Sequence, residues 1–348
     1  SFGEIDEVLC MSEQPRPTLV KGSGQMLVRV QACSLSPGDW RMLSGACDLV
    51  KRPPQWPYIP GLDVAGVVSE IDDGSEFKVG DNVVASWSDS FGIGGMAEYA
   101  LVKTSNAALR PDSIGIIDGS ALANSAAHAL STFQNAAVKE GDRVLVLGGS
   151  GGLATTLVQL IKKAGASFIA STSTDKVLLE SFGVDLVIDY HEQNWWEVPE
   201  FKGKPFDVIV DCADGKSAWR RAKKNGMLKT GWNGGRFIAV VWNEWHIEMH
   251  SYCSMFPFLC PALWRSIWTR LCSPFAPKYK IQVGSVNGEA LANVLKMVDE
   301  GRFVAVLDPA SPFPFTADGV KAAFHLLANR GGHGKIVVNI DSDDEKLD

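Results

Sequence analysis

No apolar run in this sequence approaches the roughly 18 residues that a membrane-spanning helix needs. The longest candidate, Met255 to Trp264, is broken by Pro257 and Pro261 and is followed by Arg265. No transmembrane span is therefore expected. Basic residues are not in excess either: 33 Lys and Arg face 40 Asp and Glu, a formal charge of −7 over 348 residues. Affinity for a phosphate backbone depends on clustered cations, and with no basic patch read against that acidic balance, no nucleic-acid partner is expected. Cysteine is sparse, with 7 residues in no close pairs, which fits neither a disulfide scaffold nor an extracellular setting. The expectation is a soluble protein of a reducing compartment, cytoplasm or organelle matrix or stroma. The first residue is Ser1 rather than Met, which leaves room for a targeting segment already removed. No internal repeat is visible, and residues 341–348 read as a solvated acidic tail.

The length suits two domains, and the 46% apolar fraction is that of a globular chain. The first third reads as β structure: 26–32, 64–71 and 82–86 are short, rich in β-branched residues and bounded by Gly, Pro and Asp turns. A helix is expected over 117–137. From Asp142 onward strands and helices alternate, with strands at 143–147, 167–171, 185–189, 206–211 and 235–241 and helices at 153–164 and 176–182. After Lys280 come a strand, a helix at 288–300, a strand at 303–307, a helix at 317–328 and a last strand at 335–340. Strands alternating with helices predict an α/β fold, a doubly wound parallel sheet with helices on both faces.

Gly149, Gly151 and Ala154 in Leu147-Gly-Gly-Ser-Gly-Gly-Leu-Ala154 fit G-x-G-x-x-G/A between a strand and a helix. Glycines permit the turn and a close backbone approach to a pyrophosphate, while the small third residue lets helix and strand pack. The helix N-terminus offers free N–H groups and the positive end of its dipole. The alternative is a tight structural turn. At the tip of the next strand an NAD site wants an acid; this chain has Ser171-Thr-Ser-Thr-Asp-Lys176. Hydroxyls and an ammonium accept a 2′-phosphate that a carboxylate would repel, so NADPH is the expected cofactor, with ordinary loop residues as the alternative.

With those motifs in place the sequence resembles the zinc-free quinone-oxidoreductase (zeta-crystallin-like) branch of the medium-chain dehydrogenase/reductase superfamily. The resemblance runs through Ala32-Cys-Ser-Leu-Ser-Pro-Gly-Asp39, Pro60-Gly-Leu-Asp-Val-Ala-Gly66, Val79-Gly-Asp-Asn-Val83, Gly94-Gly-Met-Ala-Glu-Tyr99, Val138 to Val146, the glycine turn, Val187-Ile-Asp-Tyr190 and Gly334-Lys-Ile-Val. It implies a GroES-like β-barrel domain (1–116 with 285–340) beside a Rossmann domain (117–284), with the active site in the cleft between them. Ser36, Leu62 and Asp63 stand at the positions where zinc-dependent relatives carry Cys and a His-Glu pair. Leu62 cannot ligate and Ser36 is a poor ligand, so no metal site is expected. The resemblance places Ser150, Gly151, Gly152, Leu153 and Ala154 at the pyrophosphate. Ser171, Ser173, Lys176 and Tyr190 fall around the 2′-phosphate, and Cys212, Val240, Val241 and His333 are further cofactor contacts. His333 replaces the family's usual Arg, which weakens that assignment.

The candidate catalytic set is Ser36, Asp39, Tyr58 and His128. Ser36 stands for the family's Asn, and Asp39 orders the loop. Tyr58 is read either as a donor to an acceptor oxygen or as a packed aromatic. His128 replaces the family's Thr and is read either as a proton or hydrogen-bond donor or as a satisfied helix histidine. Without a Lewis acid, simple carbonyl reduction loses its electrophilic help. Quinones and enones differ, because hydride adds to the conjugated system and hydrogen bonds suffice at oxygen. The expected activity is NADPH-dependent hydride transfer to a small lipophilic acceptor of that kind. The rival readings are a non-catalytic accessory subunit of a larger assembly and an NADPH-binding redox sensor.

Residues 242–277 break the pattern and form an aromatic insertion with Trp242, Trp245, Trp264, Trp268, Cys253, Cys260 and Cys272. Phe256, Leu259, Leu263, Ile267 and Leu271 recur at helical intervals, which fits a lid, a face for a protein partner or a homodimer, or an interfacial membrane helix. The acidic net charge favours the first two. His246, Glu248 and His250 alternate near Cys253, a pattern that surface alternation explains without a metal.

Overall fold

β-branched runs near both ends of the chain build one sheet, and the alternating middle builds another. The computed structural model describes residues 2–48, 56–72, 74–87, 94–232, 234–244, 248–284 and 286–341. Trp245, His246 and the acidic tail beyond Asp341 lie outside the described residues. In chain order the elements begin with α1 (Ile5–Val8), β1 (Gln25–Leu35), α2 (Pro37–Ser44), β2 (Asp63–Ile71), β3 (Asn82–Ser86), β4 (Tyr99–Lys103), β5 (Ala107–Leu109) and α3 (Ile116–Ala136). The middle holds β6 (Arg143–Leu147), α4 (Gly152–Lys163), β7 (Phe168–Thr172), α5 (Lys176–Ser181), β8 (Leu186–Ile188), β9 (Val208–Asp211), α6 (Lys216–Lys224), β10 (Arg236–Ala239), α7 (Tyr252–Leu271) and β11 (Lys278–Ile281). The last elements are α8 (Gly288–Asp299), β12 (Phe313–Pro314), α9 (Ala317–Ala328) and β13 (Ile336–Asn339).

The chain divides into two compact units, Ser1–His128 with Ser285–Asp348, and Ala129–Gly284; the division falls within α3. In the first unit β1 has three neighbours. Its first half pairs with β4, its second half with β13, and β2 runs antiparallel along nearly its whole length. Register shifts after Leu27 and after Val30 bend it, as bulges do. The sheet order is β12-β13-β1-β2-β3-β5, with β4 on β1. Met26, Val28, Val64, Val83, Ala85 and Val338 fill its core, closed by Phe324 from α9.

In the second unit the sheet is parallel, in the order β11-β10-β9-β6-β7-β8. The chain steps outward from β6 through β7 to β8, then returns to the other side of β6 with β9. The strand order thus reverses between β6 and β9, where ligands bind in open α/β sheets. One core, around Leu157, Val158 and Ile161 of α4, covers one set of side chains. The other, around Trp219, Phe237, Tyr279 and Phe206, covers the rest.

One predicted strand does not form. At 303–307 the only pairing is the bridge of Leu307 with Lys335. Phe303 is buried while Val304 is exposed and 305–307 are half-buried, so the run lacks the alternation that a second rung would need. Among the described residues no helix is long and apolar enough to cross a membrane.

Candidate functional site

The glycine turn divides its labour differently from the motif's usual reading. Gly148 has the positive φ, 76°, that makes the turn tight. Gly149 packs so closely on β7 that a Cβ there would overlap the Ser171 hydroxyl. Gly151 is the N-cap of α4, and a Cβ on it would meet nothing nearer than the Gly148 carbonyl at 3.7 Å. A side chain is thus tolerated at the residue from which the N–H groups without intrahelical partners begin, and no acidic residue stands in the helix's first turn. Ser150 is buried in the turn, Gly152 and Leu153 are half-buried, and Ala154 packs into the core.

The ends of β6, β9 and β10 meet beside this turn. The Cys212 N–H donates to the Leu147 carbonyl at 3.1 Å, and a Cβ on Gly148 would lie 3.0 Å from the Ala213 Cβ. The Asp211 carbonyl accepts from the N–H groups of Val240 and Val241 at 3.0 and 3.1 Å. Ser150 to Ala154, Cys212, Val240 and Val241 are thus brought to one edge of the sheet. Asp211 itself was not singled out in the sequence. One of its carboxylate oxygens accepts from Ala213 and Asp214 N–H groups, at 3.0 and 2.8 Å, and the other is buried with no partner. Burial pushes this carboxyl up to about 7 against the opposing backbone hydrogen bonds.

The expected 2′-phosphate group divides. Ser171 is fully buried and its hydroxyl donates to the Val146 carbonyl at 2.7 Å, so it faces the sheet interior. Thr172 is also turned inward, its hydroxyl oxygen accepting from the Gly148 N–H at 2.8 Å. Ser173, buried, accepts from the Asp175 N–H at 2.9 Å, and Asp175 caps α5 through the Leu178 N–H. Lys176 and Tyr190 are the exposed members, the first 3.6 Å from Glu180, the second stacked on His191. The signal for Ser171's inward role is in the sequence: it is the fourth residue of a buried five-residue strand, facing the same side as Ile169.

In the first unit Ser36, Asp39 and Tyr58 of the candidate catalytic set lie near a buried ion pair. Lys335 Nζ lies 3.2 Å from Asp63 Oδ2 and donates to the Leu35 carbonyl at 2.8 Å and to Ser36 Oγ at 3.1 Å. Asp63 is further held by Ser36 Oγ at 3.1 Å and by Ser86 Oγ at 2.8 Å. Asp39 accepts from the N–H groups of Ser36 and Gly61, each at 2.8 Å, and closes the capping box of α2. Burial, reinforced by the Asp63 charge, raises Asp39 to about 7. The Tyr58 hydroxyl is buried without a partner, and burial with the nearby Asp39 and Cys33 holds it well above the ordinary phenol range. His128 is half-buried on α3 one turn beyond Asn124, whose amide reaches Ser86 Oγ at 3.4 Å. His333 stands two residues before Lys335, and its N–H donates to Asp308 at 2.7 Å. Lys335 and Asp63 escaped the sequence reading as a pair. Each is a lone charge heading an apolar strand, and only the sheet order places those strands on either side of β1.

The alcohol dehydrogenase GroES-like domain family matches residues 22–112, and the zinc-binding dehydrogenase family matches residues 182–338. A plant relative, the NADPH-dependent alkenal/one oxidoreductase of Arabidopsis thaliana chloroplasts, is 29% identical over 97% of this chain and 77% of that protein. The chloroplast envelope quinone oxidoreductase homolog of the same plant is 33% identical over 57% of this chain and 62% of its own length. Among solved structures, the quinone oxidoreductase of Coxiella burnetii superposes with a TM-score of 0.74 at 20% identity, covering 98% of this chain and 97% of that one. Two domain families are thus matched along this chain, and its sequence is similar to the quinone and alkenal/one oxidoreductases of the medium-chain dehydrogenase/reductase superfamily.

The name of the second matching family raises the question of zinc. In this chain the donor set does not fit it. Leu62 has no ligating atom, and the oxygens of Ser36 and Asp63 are already engaged by the Lys335 ammonium. A cation is thus built into the chain where a metal would need those oxygens, and two like charges cannot share them. Among the described residues no three His, Cys, Asp or Glu side chains stand close enough to hold a metal ion.

Proposed function

We propose that this chain is an NADPH-dependent reductase that passes hydride to a quinone or an α,β-unsaturated carbonyl without zinc. The observation that carries the reading is the α4 N-terminus, where Gly151 is the N-cap and the first-turn N–H groups, which have no partner within the helix, stand at the reversal point of the parallel sheet. A pyrophosphate fits that chemistry. The residues proposed to hold it are Ser150 to Ala154, with Cys212, Val240 and Val241 lining the adjoining strand ends and His333 a further contact. Lys176, Tyr190 and the Ser173 hydroxyl are proposed for the 2′-phosphate; Ser171 supports the turn from within. The phosphate preference agrees with the NADPH named for the alkenal/one relative.

When bound, the reduced nicotinamide supplies a hydride. The chain's own part is to orient the acceptor and answer the charge that grows on its oxygen. A conjugated acceptor takes hydride at carbon and becomes an enolate or hydroquinone anion, which a proton then neutralises. His128 is proposed to supply that proton or hydrogen bond, and Tyr58, protonated through the neutral range, to donate to the oxygen. Asp39 holds the loop that carries Tyr58, through its hydrogen bonds from the Ser36 and Gly61 N–H groups, while His128 stands on α3. Simple ketones lack the conjugation, and the Lys335 ammonium, saturated by Leu35, Ser36 and Asp63, offers no vacant coordination position to polarise them.

A reducing compartment is proposed, since no disulfide joins the seven cysteines. An organelle stroma agrees with the chloroplast named for both plant relatives. The test is NADPH oxidation by the purified chain against a panel of quinones, enones and saturated ketones, with and without a chelator. Turnover of the conjugated acceptors alone, indifferent to chelator, supports the reading. Tight NADPH binding with no turnover of any acceptor overturns it and favours the accessory-subunit reading, for which the exposed aromatic face of α7 is the observation in favour.

A further inference from the structure

Helix α7 is built inside out. Its inward side carries Arg265 and Thr269. The guanidinium donates to the Trp242 carbonyl at 3.0 Å and to the Asn243 side chain, and lies over the Tyr279 ring, 4.9 Å from its centroid. The Thr269 hydroxyl donates to the Arg265 carbonyl at 2.9 Å and accepts from the Tyr279 N–H at 3.0 Å. Phe256, Cys260, Trp264, Ile267, Trp268 and Leu271 recur at intervals of three and four and all face solvent, Trp264 at 60% exposure and Leu271 at 74%. A surface helix of a water-soluble domain carries the reverse pattern. Beyond its C-terminus the rings of Trp232 and Phe275, both exposed, pack edge to face at 4.9 Å and extend the patch. The apolar residues of this segment are thus not covered by the rest of the chain.

The charge around it is equally lopsided. Residues 216–284 hold eleven Lys and Arg against only Glu244 and Glu248, in a chain of net charge −7. Helices α6 and α7 follow successive strands that step in one direction, β9 to β10 to β11, so right-handed crossovers set them on the same face of the sheet. The contacts agree, because Trp219 of α6 meets Tyr279 at 5.2 Å, the ring over which Arg265 of α7 sits. Lys216 and Arg221 are paired with Glu244 and Asp214, which leaves Arg220, Lys223, Lys224 and Arg270 as an exposed cationic rim.

We propose that the outer stripe of α7, rimmed by the cations of α6 and Arg270, docks this chain on the surface of an anionic lipid bilayer. Trp, Phe and Leu side chains enter the boundary between head groups and acyl chains, while Lys and Arg meet the lipid phosphates. The helix lies on the bilayer and does not cross it, in keeping with the absence of a spanning helix among the described residues. A second copy of the chain is the poorer occupant: a two-fold interface through this stripe would set the basic rim against itself. The inference does not rest on reductase activity, although a bilayer is where a lipophilic acceptor would dissolve.

Flotation of the full chain with vesicles tests it, using phosphatidylcholine alone and phosphatidylcholine mixed two to one with phosphatidylglycerol, at low and high salt. The chain is expected to float with the mixed vesicles, and high salt to weaken that binding. Replacing both exposed tryptophans (Trp264→Ser with Trp268→Ser) lowers the bound fraction by about tenfold or more, since each loses its interfacial ring. Lys223→Glu with Lys224→Glu removes the preference for the anionic vesicles, at roughly fivefold per cation lost. An NADPH titration by nicotinamide fluorescence on each variant shows that the nucleotide unit is intact. Failure of the wild-type chain to float, or flotation that both pairs of substitutions leave unchanged, overturns the proposal. So does a concentration-dependent dimer in sedimentation velocity that the tryptophan variants dissolve while no vesicle binding occurs.

Discussion

Lys335 Nζ and Asp63 Oδ2 stand 3.2 Å apart with 6% and 0% of their side chains exposed, an ion pair sealed within the first unit's sheet. Removing one partner strands the other's charge in a medium that cannot solvate it. Lys335→Met is expected to destabilise the chain by about 3–5 kcal/mol in urea unfolding, and the double change Lys335→Met with Asp63→Leu to recover a large part of that loss. A double variant whose loss equals the sum of the two single losses would show that the two charges do not depend on one another.

Gly149 and Gly151 separate stability from binding. A methyl at Gly149 meets the Ser171 hydroxyl, so Gly149→Ala is expected to lower stability by about 1–3 kcal/mol. A methyl at Gly151 makes an ordinary contact with the Gly148 carbonyl at 3.7 Å, so Gly151→Ala is expected to leave the melting temperature nearly unchanged. It is nevertheless expected to weaken NADPH by about tenfold or more, because the methyl stands where the phosphates approach. Thermal melts and nicotinamide fluorescence on the same two preparations check the pair.

Asp39 and Asp211 are both raised to about 7, chiefly by burial. Between about pH 4 and pH 7 the folded chain holds protons at these sites that the unfolded chain has released. Their contribution to stability is therefore fully present at low pH and is lost as pH rises through about 7, by at most about 1.4 kcal/mol per pH unit for each group. Asp211→Asn keeps the acceptor oxygen for Ala213 and Asp214 and replaces the unpartnered oxygen with a neutral amide. Urea unfolding across this range should show a flatter pH profile for the variant and a relative gain above pH 7.

Lys176 is exposed and lies 3.6 Å from Glu180, an ion pair of little strength. Lys176→Glu is expected to raise KM for NADPH by about tenfold or more and to leave KM for NADH within about twofold, since only the 2′-phosphate meets the reversed charge. Steady-state kinetics with both nucleotides read the ratio.

His128→Ala is expected to lower kcat with quinones or enones by about a hundredfold while leaving NADPH affinity within about twofold. Stopped-flow traces that show unchanged hydride transfer in this variant would remove His128 from the proton path.

The alternation of strands and helices after Asp142 was legible because buried parallel strands are short apolar runs between glycine turns, and α4 and β6 form within a residue of the expected bounds. The glycine turn was legible as a motif, but its division into a turn at Gly148, a close approach at Gly149 and an open cap at Gly151 was not, because only the neighbouring strand decides which Cβ has room. Lys335 and Asp63 lie far apart in the chain and meet only through sheet order. The net charge of −7 hid the basic rim of α6 and α7, since a whole-chain sum is blind to segregation. Helical periodicity in 252–271 gave the helix, but periodicity alone does not tell which side faces inward; Arg265 and Thr269, bonded to Trp242 and Tyr279, decide that.

The pairing of Ala32 with Asn339 has a consequence during synthesis. The nucleotide-binding unit, Ala129–Gly284, is one continuous stretch and can close while the ribosome is still working. The β1 strand must wait until residues about three hundred positions further along have been translated before its second half gains its final partner. During that interval a bare strand edge is on offer to any neighbouring nascent chain. Truncation near the carboxyl terminus should therefore leave a soluble nucleotide-binding fragment attached to an aggregating remainder.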